Sequence, residues 1–317
     1  MNDISYSVVI PTFNAEKYLY KLLPLLENLN TSTFPPDSIF FIDSNSIDQT
    51  KEILSSNFDV ISIDTEDFDH GGTRSFVQKI CNSEVVVYLA QDALPLCIES
   101  IEKLVSIFKD QSIGAAYGRQ LPYAETNLFG KHLREFNYSN ESFIRQYGDK
   151  SLFGIKTPFL SNSFAAYRRL AMDEIGWFKD GLILGEDIYA GAKLLQVGYK
   201  LAYVADAQVY HSHSYNIFEE CKRYFDIGAF HKMESWILDE FGKAEGEGMR
   251  YIKSEYCYLI KHKAYLKLPE FLIRNGMKFL GYMLGNNFKA LPKSVIKKLS
   301  MHYRWWDKYW SGRLVAK

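Results

Sequence analysis

Short apolar runs alternate with stretches of helical periodicity through the first two thirds of the chain. Residues 7–10, 38–42, 60–63 and 84–89 are apolar, rich in β-branched side chains and bounded by polar residues or proline, which predicts buried strands. Between the first two runs, leucines recur at helical spacing over residues 14–29. This alternation predicts an α/β fold built on a doubly wound, mostly parallel sheet.

The pattern changes twice further along the chain. Residues 123–154 are polar and aromatic with weak periodicity, so we interpret them as an excursion or a flexible loop. Helix and strand patterns then return at residues 169–175, 189–197 and 200–204. From Ile217 onward the pattern is helical, which predicts an α/β domain over residues 1–216 and a helical region over residues 217–317.

Polar residues follow three of the predicted strands at the point where each strand ends. Asp43 ends the second strand, the turn at residues 71–74 follows the third, and Asp92 follows the fourth. Ligands of doubly wound sheets bind at the carboxyl ends of the strands, so we expect a ligand site here. Ser46 is the predicted cap of a helix over residues 48–55.

Charge is distributed unevenly along the chain. The net charge is −1, but residues 261–317 hold 13 basic residues and two acidic ones, so this tail carries +11 and the remainder −12. Ten aromatic residues interleave with the charges of the tail. Basic, aromatic helices are typical of segments that bind an anionic membrane surface; alternatively, the aromatic side chains pack on the core. The acidic remainder and the absence of a recognition motif argue against nucleic acid as a partner.

The cysteines and the N-terminus suggest a cellular compartment. Cys81, Cys97, Cys221 and Cys257 show neither metal-site nor disulfide-framework spacing, which predicts reduced thiols. The first residues lack the pattern of a signal peptide, and no apolar run reaches the length of about 18 residues that predicts a spanning helix. We therefore expect a cytoplasmic protein, attached peripherally to the inner face of the cell membrane through its tail.

Seven segments taken together resemble glycosyltransferase family 2. They occur in the family's order: SVVIPTFN (7–14), FIDSNSIDQT (41–50), HGGTRS (70–75), AQDALP (90–95), YGRQLP (117–122), LGEDIYAGAKLLQVGYKLAY (184–203) and YHSHSYN (210–216). HGGTRS and AQDALP make the chain most similar to the rhamnosyltransferases of bacterial surface polysaccharide synthesis. The resemblance implies the GT-A fold, a doubly wound mixed sheet, here followed by a helical C-terminal region.

The resemblance also implies a divalent cation, Mn²⁺ or Mg²⁺, which stabilises the charge that develops on a leaving nucleotide diphosphate. Asp92 resembles the last acid of the family's D-x-D metal motif, although Gln91 stands before it. His211 matches a frequent metal-binding position of the family, and His213 is the alternative ligand. Outside the resemblance, Asp92 could be a turn residue and each histidine a hydrogen-bonded structural one.

Acceptor chemistry is implied by the segment around Asp187. This residue matches the family's catalytic base, which takes the proton of the attacking acceptor hydroxyl. Glu186 is the matching candidate for binding the acceptor, and Asn162, with Ser163, is a further one. The alternative role of the two acids is to stabilise the N-terminus of a helix.

The nucleotide sugar is expected to contact a larger set of residues. Those on the first strand-to-helix turn match the place of the base and ribose, and Arg74 could pair with phosphate while Gly71 and Gly72 permit close approach. Ser44 stands where the family often has a second acid. Arg119 and Gln120 follow another predicted strand and are candidates to line the donor or acceptor site. The expected set is Pro11, Thr12, Asn14, Asp43, Ser44, Gly72, Arg74, Gln91 and Arg119.

The resemblance implies an inverting transfer by single displacement. The implied donor is deoxythymidine-diphospho-L-rhamnose (dTDP-L-rhamnose), and the implied acceptor is a lipid-linked saccharide of O-antigen or capsule synthesis. Two alternatives remain open. The enzyme could use another nucleotide sugar, such as UDP-glucose or UDP-galactose, or the chain could be a non-catalytic nucleotide-sugar-binding scaffold, because Gln91 replaces an acid.

Overall fold

The computed structural model describes residues 4–66 and 68–314, apart from the side chains of residues 244 and 245. A mixed sheet of nine strands forms the centre of this described part. The strands are β1 (Tyr6–Thr12), β2 (Ser38–Asp43), β3 (Asp59–Ser62), β4 (Val85–Leu89), β5 (Leu94–Pro95), β6 (Ile113–Leu121), β7 (Phe143–Arg145), β8 (Phe164–Arg168) and β9 (Lys200–Tyr210).

The strand order brings several strand ends to one edge of the sheet. The order is β3-β2-β1-β4-β8-β6-β9-β5, with β7 paired to β9. The first four strands are parallel, β8 is antiparallel to both of its neighbours, and β6 and β9 are parallel. Consequently the C-terminal ends of β1, β2, β4, β6 and β9 and the N-terminal end of β8 meet at the same edge.

Helices cover both faces of the sheet. They are α1 (Glu16–Asn30), α2 (Thr50–Ser55), α3 (His70–Ser75), α4 (Glu99–Ser106), α5 (Leu128–Asn137), α6 (Lys150–Phe153), α7 (Arg169–Ile175), α8 (Glu186–Gln196), α9 (Ile217–Met233), α10 (Ser235–Phe241), α11 (Ala244–Lys261), α12 (Leu268–Asn286), α13 (Lys293–Leu299) and α14 (Tyr303–Trp310). Val8 packs in one apolar cluster with α1 and α4, and Val9 packs in the other with α8 and α9. Burial on both faces explains why the strand sequences are continuous apolar runs.

The structure confirms the four early strands and corrects two other predictions. Ser46 does not cap α2; its hydroxyl accepts a hydrogen bond from the backbone N–H of Asn14 at 2.9 Å. Residues 123–154 are not a loop, because they contain α5, β7 and α6. The side chain of Asn127 caps α5 by accepting from the N–H of Gly130 at 2.8 Å.

The C-terminal helices α12 and α14 pack closely on α9. In α12, a Cβ at Gly281 or Gly285 would lie 2.3 or 1.9 Å from a backbone oxygen of α9, so glycine permits this helix contact. Trp306 of α14 is fully buried against Phe225 and Phe288. Phe225 belongs to the same apolar cluster as the sheet residues, so packing is continuous across residue 216, where the boundary between two regions remains a prediction.

Two findings concern the compartment predictions. All four cysteines are free thiols. Within the described residues, none of the helices combines the length and the apolar character that crossing a bilayer requires.

Candidate functional site

Asp92, His211 and His213 form a cluster at the edge where the strand ends meet. Nε2 of His211 lies 3.5 Å from Oδ1 of Asp92, and Nε2 of His213 lies 3.7 Å from Oδ2. One potential ligand atom from each residue lies within 4.8 Å of the other two. The structure thus brings Asp92 next to two histidines that follow it by more than 100 positions in the sequence.

Gln120 fixes the protonation of His211. Its Oε1 accepts a hydrogen bond from the guanidinium of Arg134, which can only donate, so the amide orientation is set. The same oxygen lies 2.8 Å from Nδ1 of His211, which must therefore carry the proton. Nε2 is left with a lone pair that points toward the carboxylate of Asp92.

This donor set fits a divalent cation. Burial, with the charge of Arg134, lowers the pKa of His211 well below its usual value, and burial also lowers the pKa of His213. Both imidazoles are therefore neutral near pH 7, as metal ligation requires. The carboxylate and Nε2 of His211 both present lone pairs, and Nε2 of His213 presents a third when its proton is on Nδ1, so a cation between them would have three ligands. Mn²⁺ accepts this combination of oxygen and imidazole ligands.

Two adjacent acids, Glu186 and Asp187, begin α8. Asp187 accepts hydrogen bonds from the backbone N–H of Asn162 at 3.2 Å and of Ile188 at 2.8 Å. Glu186 accepts from Nδ2 of Asn162 at 3.0 Å and pairs with Arg74 at 3.1 Å. One asparagine therefore holds both carboxylates in place.

The environment gives the two acids different proton affinities. Burial, together with the neighbouring charge of Glu186, raises the pKa of Asp187 to about 7. Burial also opposes ionisation of Glu186, but the charges of Arg74 and His70 outweigh it and lower the pKa of that carboxyl. Glu186 is therefore the ionised member of the pair, and Asp187 can exchange a proton near neutral pH.

A hydrogen-bonded path joins the cluster to the two acids. Gln120, which binds His211, also donates from Nε2 to the hydroxyl of Ser161 at 2.9 Å. The next residue, Asn162, binds both Glu186 and Asp187. The candidate ligands and the candidate base thus lie at one edge of the sheet within a single network.

Several of the residues expected to contact the nucleotide brace two neighbouring loops. Asp43 is fully buried and accepts from the N–H of Ser46 at 2.9 Å and from the hydroxyl of Thr12 at 3.3 Å. Asn14 adopts a positive φ of 49° and accepts from the N–H of Ile47 at 3.0 Å. These bonds hold the loop after β1 against the loop after β2, at the edge shared with Asp92.

Three further expected contacts lie beside these loops. Pro11 is in β1, opposite Ile42 of β2. Ser44 donates its N–H to the carbonyl of Thr12 at 2.9 Å, and its hydroxyl is buried without a hydrogen-bond partner. Gln91 forms a reciprocal pair with the backbone of Phe13, at 2.8 and 3.2 Å. The Gln91 amide therefore braces the first loop.

The glycine turn makes close contacts within the protein itself. Asp69 accepts hydrogen bonds from the N–H groups of Gly71 and Gly72 at 3.0 and 2.8 Å, so these donors are already paired. A Cβ at Gly71 would lie 2.1 Å from the carbonyl oxygen of Lys179, so the close approach is to protein backbone. Arg74 pairs with Glu186 in this structure, and the roles of Gly72 and Arg74 in binding the donor remain predictions.

Arg119 lies apart from these contacts. Its Nε is buried and lacks a hydrogen-bond partner, and its charge acts on Tyr203. A role in donor binding for Arg119 remains a prediction.

Sequence reasoning missed Arg134 and gave Gln120 no defined role. Arg134 lies on α5, inside the segment that was expected to be a loop. Asn127 at the cap position and apolar residues at helical spacing, Phe129, Leu133 and Phe136, were the available signals for that helix. The bond from Gln120 to His211 spans 91 residues, and no local pattern reports such a contact.

Comparison with known sequences and structures gives consistent results. A model described as glycosyl transferase family 2 matches residues 7–176. O-antigen chain rhamnosyltransferase RfbN of Salmonella typhimurium is 42% identical over 95% of this chain and 96% of its own length. O-antigen chain rhamnosyltransferase WbaN of Salmonella anatum is 39% identical over 96% of each chain.

A solved structure with a similar fold is the mannosyltransferase PcManGT from Pyrobaculum calidifontis, in complex with GDP-Man and Mn²⁺. Its TM-score is 0.62, with 92% of this chain and 89% of that chain covered. The sequence identity is 14%, so the similarity is one of fold.

Proposed function

Because the chain belongs to glycosyl transferase family 2, we propose that it transfers L-rhamnose from dTDP-L-rhamnose to a lipid-linked saccharide in surface polysaccharide synthesis, with inversion. The family makes the chain a glycosyltransferase. The identity of 42% over nearly the whole length with an O-antigen chain rhamnosyltransferase is the observation that supports rhamnose. The site supports an enzyme, since a buried acid with a pKa near 7 lies in one network with a candidate metal cluster.

Asp187 is the proposed base. In its ionised form it takes the proton of the acceptor hydroxyl as the hydroxyl oxygen attacks the anomeric carbon from the side opposite the diphosphate. Asn162 and the N–H of Ile188 orient the carboxylate. Glu186 stays ionised beside Arg74 and is placed to accept a hydrogen bond from another acceptor hydroxyl.

Asp92, His211 and His213 are the residues proposed to hold a divalent cation. Such a cation, when bound, stabilises negative charge on the diphosphate oxygens. The loops braced by Asp43 and Asn14 are the proposed walls of the nucleotide site, with Pro11, Thr12, Ser44 and Gln91. In this proposal Gly72 and Arg74 support the site through protein contacts. Gly72 donates its N–H to Asp69, and Arg74 pairs with Glu186.

The donor can be identified directly. Purified full-length chain with Mn²⁺ and extracted lipid-linked saccharides is expected to release dTDP from dTDP-L-rhamnose and to form an α-L-rhamnoside. Release of UDP from UDP-glucose or UDP-galactose, with dTDP-L-rhamnose inert, would assign another donor. Nucleotide-sugar binding without release across the whole acceptor panel would favour a scaffold.

We further propose that an exposed apolar stripe on α12 binds the cytoplasmic face of the membrane. The stripe consists of side chains at helical spacing, with Leu272 67% exposed and Phe279 65% exposed, and Leu266, 96% exposed, lies in the turn just before the helix. Ile273, Leu280 and Met283 extend the same face. Exposed lysines lie at both ends of the stripe, at positions 261, 263, 289 and 293, and suit an anionic lipid surface.

Vesicle flotation tests this surface. The full chain is expected to float with phosphatidylglycerol vesicles and much less with phosphatidylcholine vesicles, because the lysines contribute electrostatically. Leu272→Ser combined with Phe279→Ser should weaken binding about tenfold or more, since two apolar side chains no longer enter the interface. The matched control is Leu152→Ser combined with Phe218→Ser, two equally exposed residues elsewhere. Equal flotation of both double variants would contradict the proposal.

A further inference from the structure

Arg134 is a largely buried cation without an acidic partner. Its Nη1 donates to Oε1 of Gln120, the same oxygen that His211 binds, so the guanidinium lies beside the proposed metal cluster. The guanidinium carbon lies 5.5 Å from the ring centre of Tyr138, and Nε is buried without a hydrogen-bond partner. The leading electrostatic influences on Arg134 come from Arg223 and from tyrosine hydroxyls, and in the described residues no carboxylate forms an ion pair with it.

A second guanidinium lies near the cluster. Arg223 of α9 is exposed and lies 5.8 Å from the ring of Tyr215, which in turn lies 5.3 Å from the ring of His213. The charge of Arg223 acts on His211, His213 and Arg134. Within residues 4–66 and 68–314, no ion pair involves either of the two arginines.

With a divalent cation bound at the cluster, the cation and the two guanidinium groups would together carry four positive charges. Asp92 is the one carboxylate in the cluster, so it would neutralise half of the charge of a divalent cation. Burying an unpaired guanidinium is unfavourable unless a ligand supplies the opposite charge. The missing partner is therefore an anion with more than one negative charge.

We propose that Arg134, assisted by Arg223, binds the diphosphate of the nucleotide sugar and stabilises it more strongly as the leaving group than in the intact donor. This inference rests on the proposed function. In the transfer, the bond between the anomeric carbon and the diphosphate oxygen breaks, and the electron pair stays on that oxygen. The acceptor oxygen forms the new bond to carbon, and its proton goes to Asp187. The departing diphosphate thus gains one negative charge, which a preorganised guanidinium stabilises most in the transition state.

A lipid-linked diphosphate on the acceptor would offer the same chemistry. The nucleotide diphosphate is favoured because Arg134 and the proposed metal ligand His211 bind the same oxygen, Oε1 of Gln120. In this reaction the cation binds the diphosphate that leaves, so a group beside the cation is also beside that diphosphate. Separate binding measurements on the two diphosphates distinguish the sources.

Calorimetry on the full-length chain with Mn²⁺ tests the proposal. Arg134→Gln is expected to weaken dTDP binding about tenfold or more, since a charged hydrogen bond is lost. Binding of dTDP-L-rhamnose should weaken less, because the intact donor carries one charge fewer. The dTDP affinity of Arg134→Lys should lie between those of Arg134→Gln and the wild type. Lysine keeps the positive charge but lacks the planar guanidinium that can donate two parallel hydrogen bonds. Arg304→Gln, at an exposed position of α14, is the matched control and should bind dTDP like the wild type.

Mn²⁺ binding without nucleotide separates this role from a structural one. Arg134→Gln should leave Mn²⁺ affinity unchanged or higher, because a positive charge near the cluster has been removed. If Mn²⁺ and dTDP binding weaken equally, Arg134 acts only by holding Gln120 and His211, and the proposal is overturned. It is also overturned if dTDP binding is unchanged while binding of farnesyl diphosphate falls, since that assigns the site to the acceptor.

The wild-type chain tests the proposed function in the same series. A wild type that binds dTDP, UDP or GDP while Arg134→Gln binds it equally well overturns this inference alone. A wild type that binds none of the three contradicts the proposed function and removes this inference with it.

Discussion

Asp187→Asn is expected to lower kcat for sugar transfer by about 10²–10⁴-fold, the usual contribution of a general base. Asparagine has nearly the same size as aspartate but cannot take the acceptor proton. Donor binding should change little, since Asp187 binds Asn162 and the start of α8 and lies outside the proposed diphosphate contacts. Initial rates combined with calorimetry of donor binding check both halves of this expectation.

A matched substitution and the pH profile sharpen this test. Asp239→Asn, on the exposed side of α10, should keep wild-type activity. The base must be ionised to act, and the pKa of Asp187 is raised to about 7, so kcat should rise with pH through that region. Glu186→Gln removes a neighbouring negative charge that raises this pKa, so the rising limb should move to lower pH. A transfer rate within tenfold of the wild type in Asp187→Asn would mean that another group is the base.

Asp92→Ala is expected to lower the transfer rate about a thousandfold, equivalent to about 4 kcal/mol of lost charge stabilisation. This substitution removes the one carboxylate of the cluster, and two neutral imidazoles alone bind Mn²⁺ weakly. Mn²⁺ affinity, measured by electron paramagnetic resonance without substrate, should fall in parallel. A variant with lower activity and unchanged Mn²⁺ affinity would give Asp92 a different role.

The two histidines should differ in their contributions. The side chain of His211 is 8% exposed and is oriented by Gln120, whereas that of His213 is 38% exposed. Because oriented ligands lose less freedom on binding, His211→Ala should weaken Mn²⁺ binding more than His213→Ala. The reverse order would make His213 the principal imidazole ligand.

The replacement of an acid by Gln91 has a structural explanation. Both polar atoms of its side chain bind the backbone of Phe13 and fix the loop that carries Asn14. The histidines after β9 are then the nearest additional ligands for a cation beside Asp92. The cluster therefore has one carboxylate and two neutral imidazole ligands where a second carboxylate would be expected. The smaller negative charge is consistent with the unpaired guanidinium of Arg134 nearby.

The sequence by itself determined the four early strands, and it indicated the edge of the sheet at which a ligand site is expected. The strands at residues 7–10 and 84–89 are buried on both faces, so each is a continuous apolar run that can be recognised in the sequence. The polar residue after each run marks the end of the strand. Asp92, His211 and Asp187 could be proposed as site residues because the short motifs that hold them resemble those of glycosyltransferase family 2. The helix at residues 128–137 was missed although Asn127 and the apolar residues Phe129, Leu133 and Phe136 mark it, because the polar and aromatic segment around it was interpreted as a whole.

Only the tertiary structure decided which partners these residues have. Gln120 meets His211 and Arg134, and Arg74 meets Glu186, over separations of 14 to 112 positions. Such contacts depend on the strand order, in which antiparallel β8 carries Asn162 to the same edge as the ends of β4 and β9. Hydrogen bonds and buried charges act over a few ångströms in space, whereas a sequence pattern records only neighbours along the chain. The shift in the pKa of Asp187 and the unpaired charge of Arg134 are therefore properties of the fold.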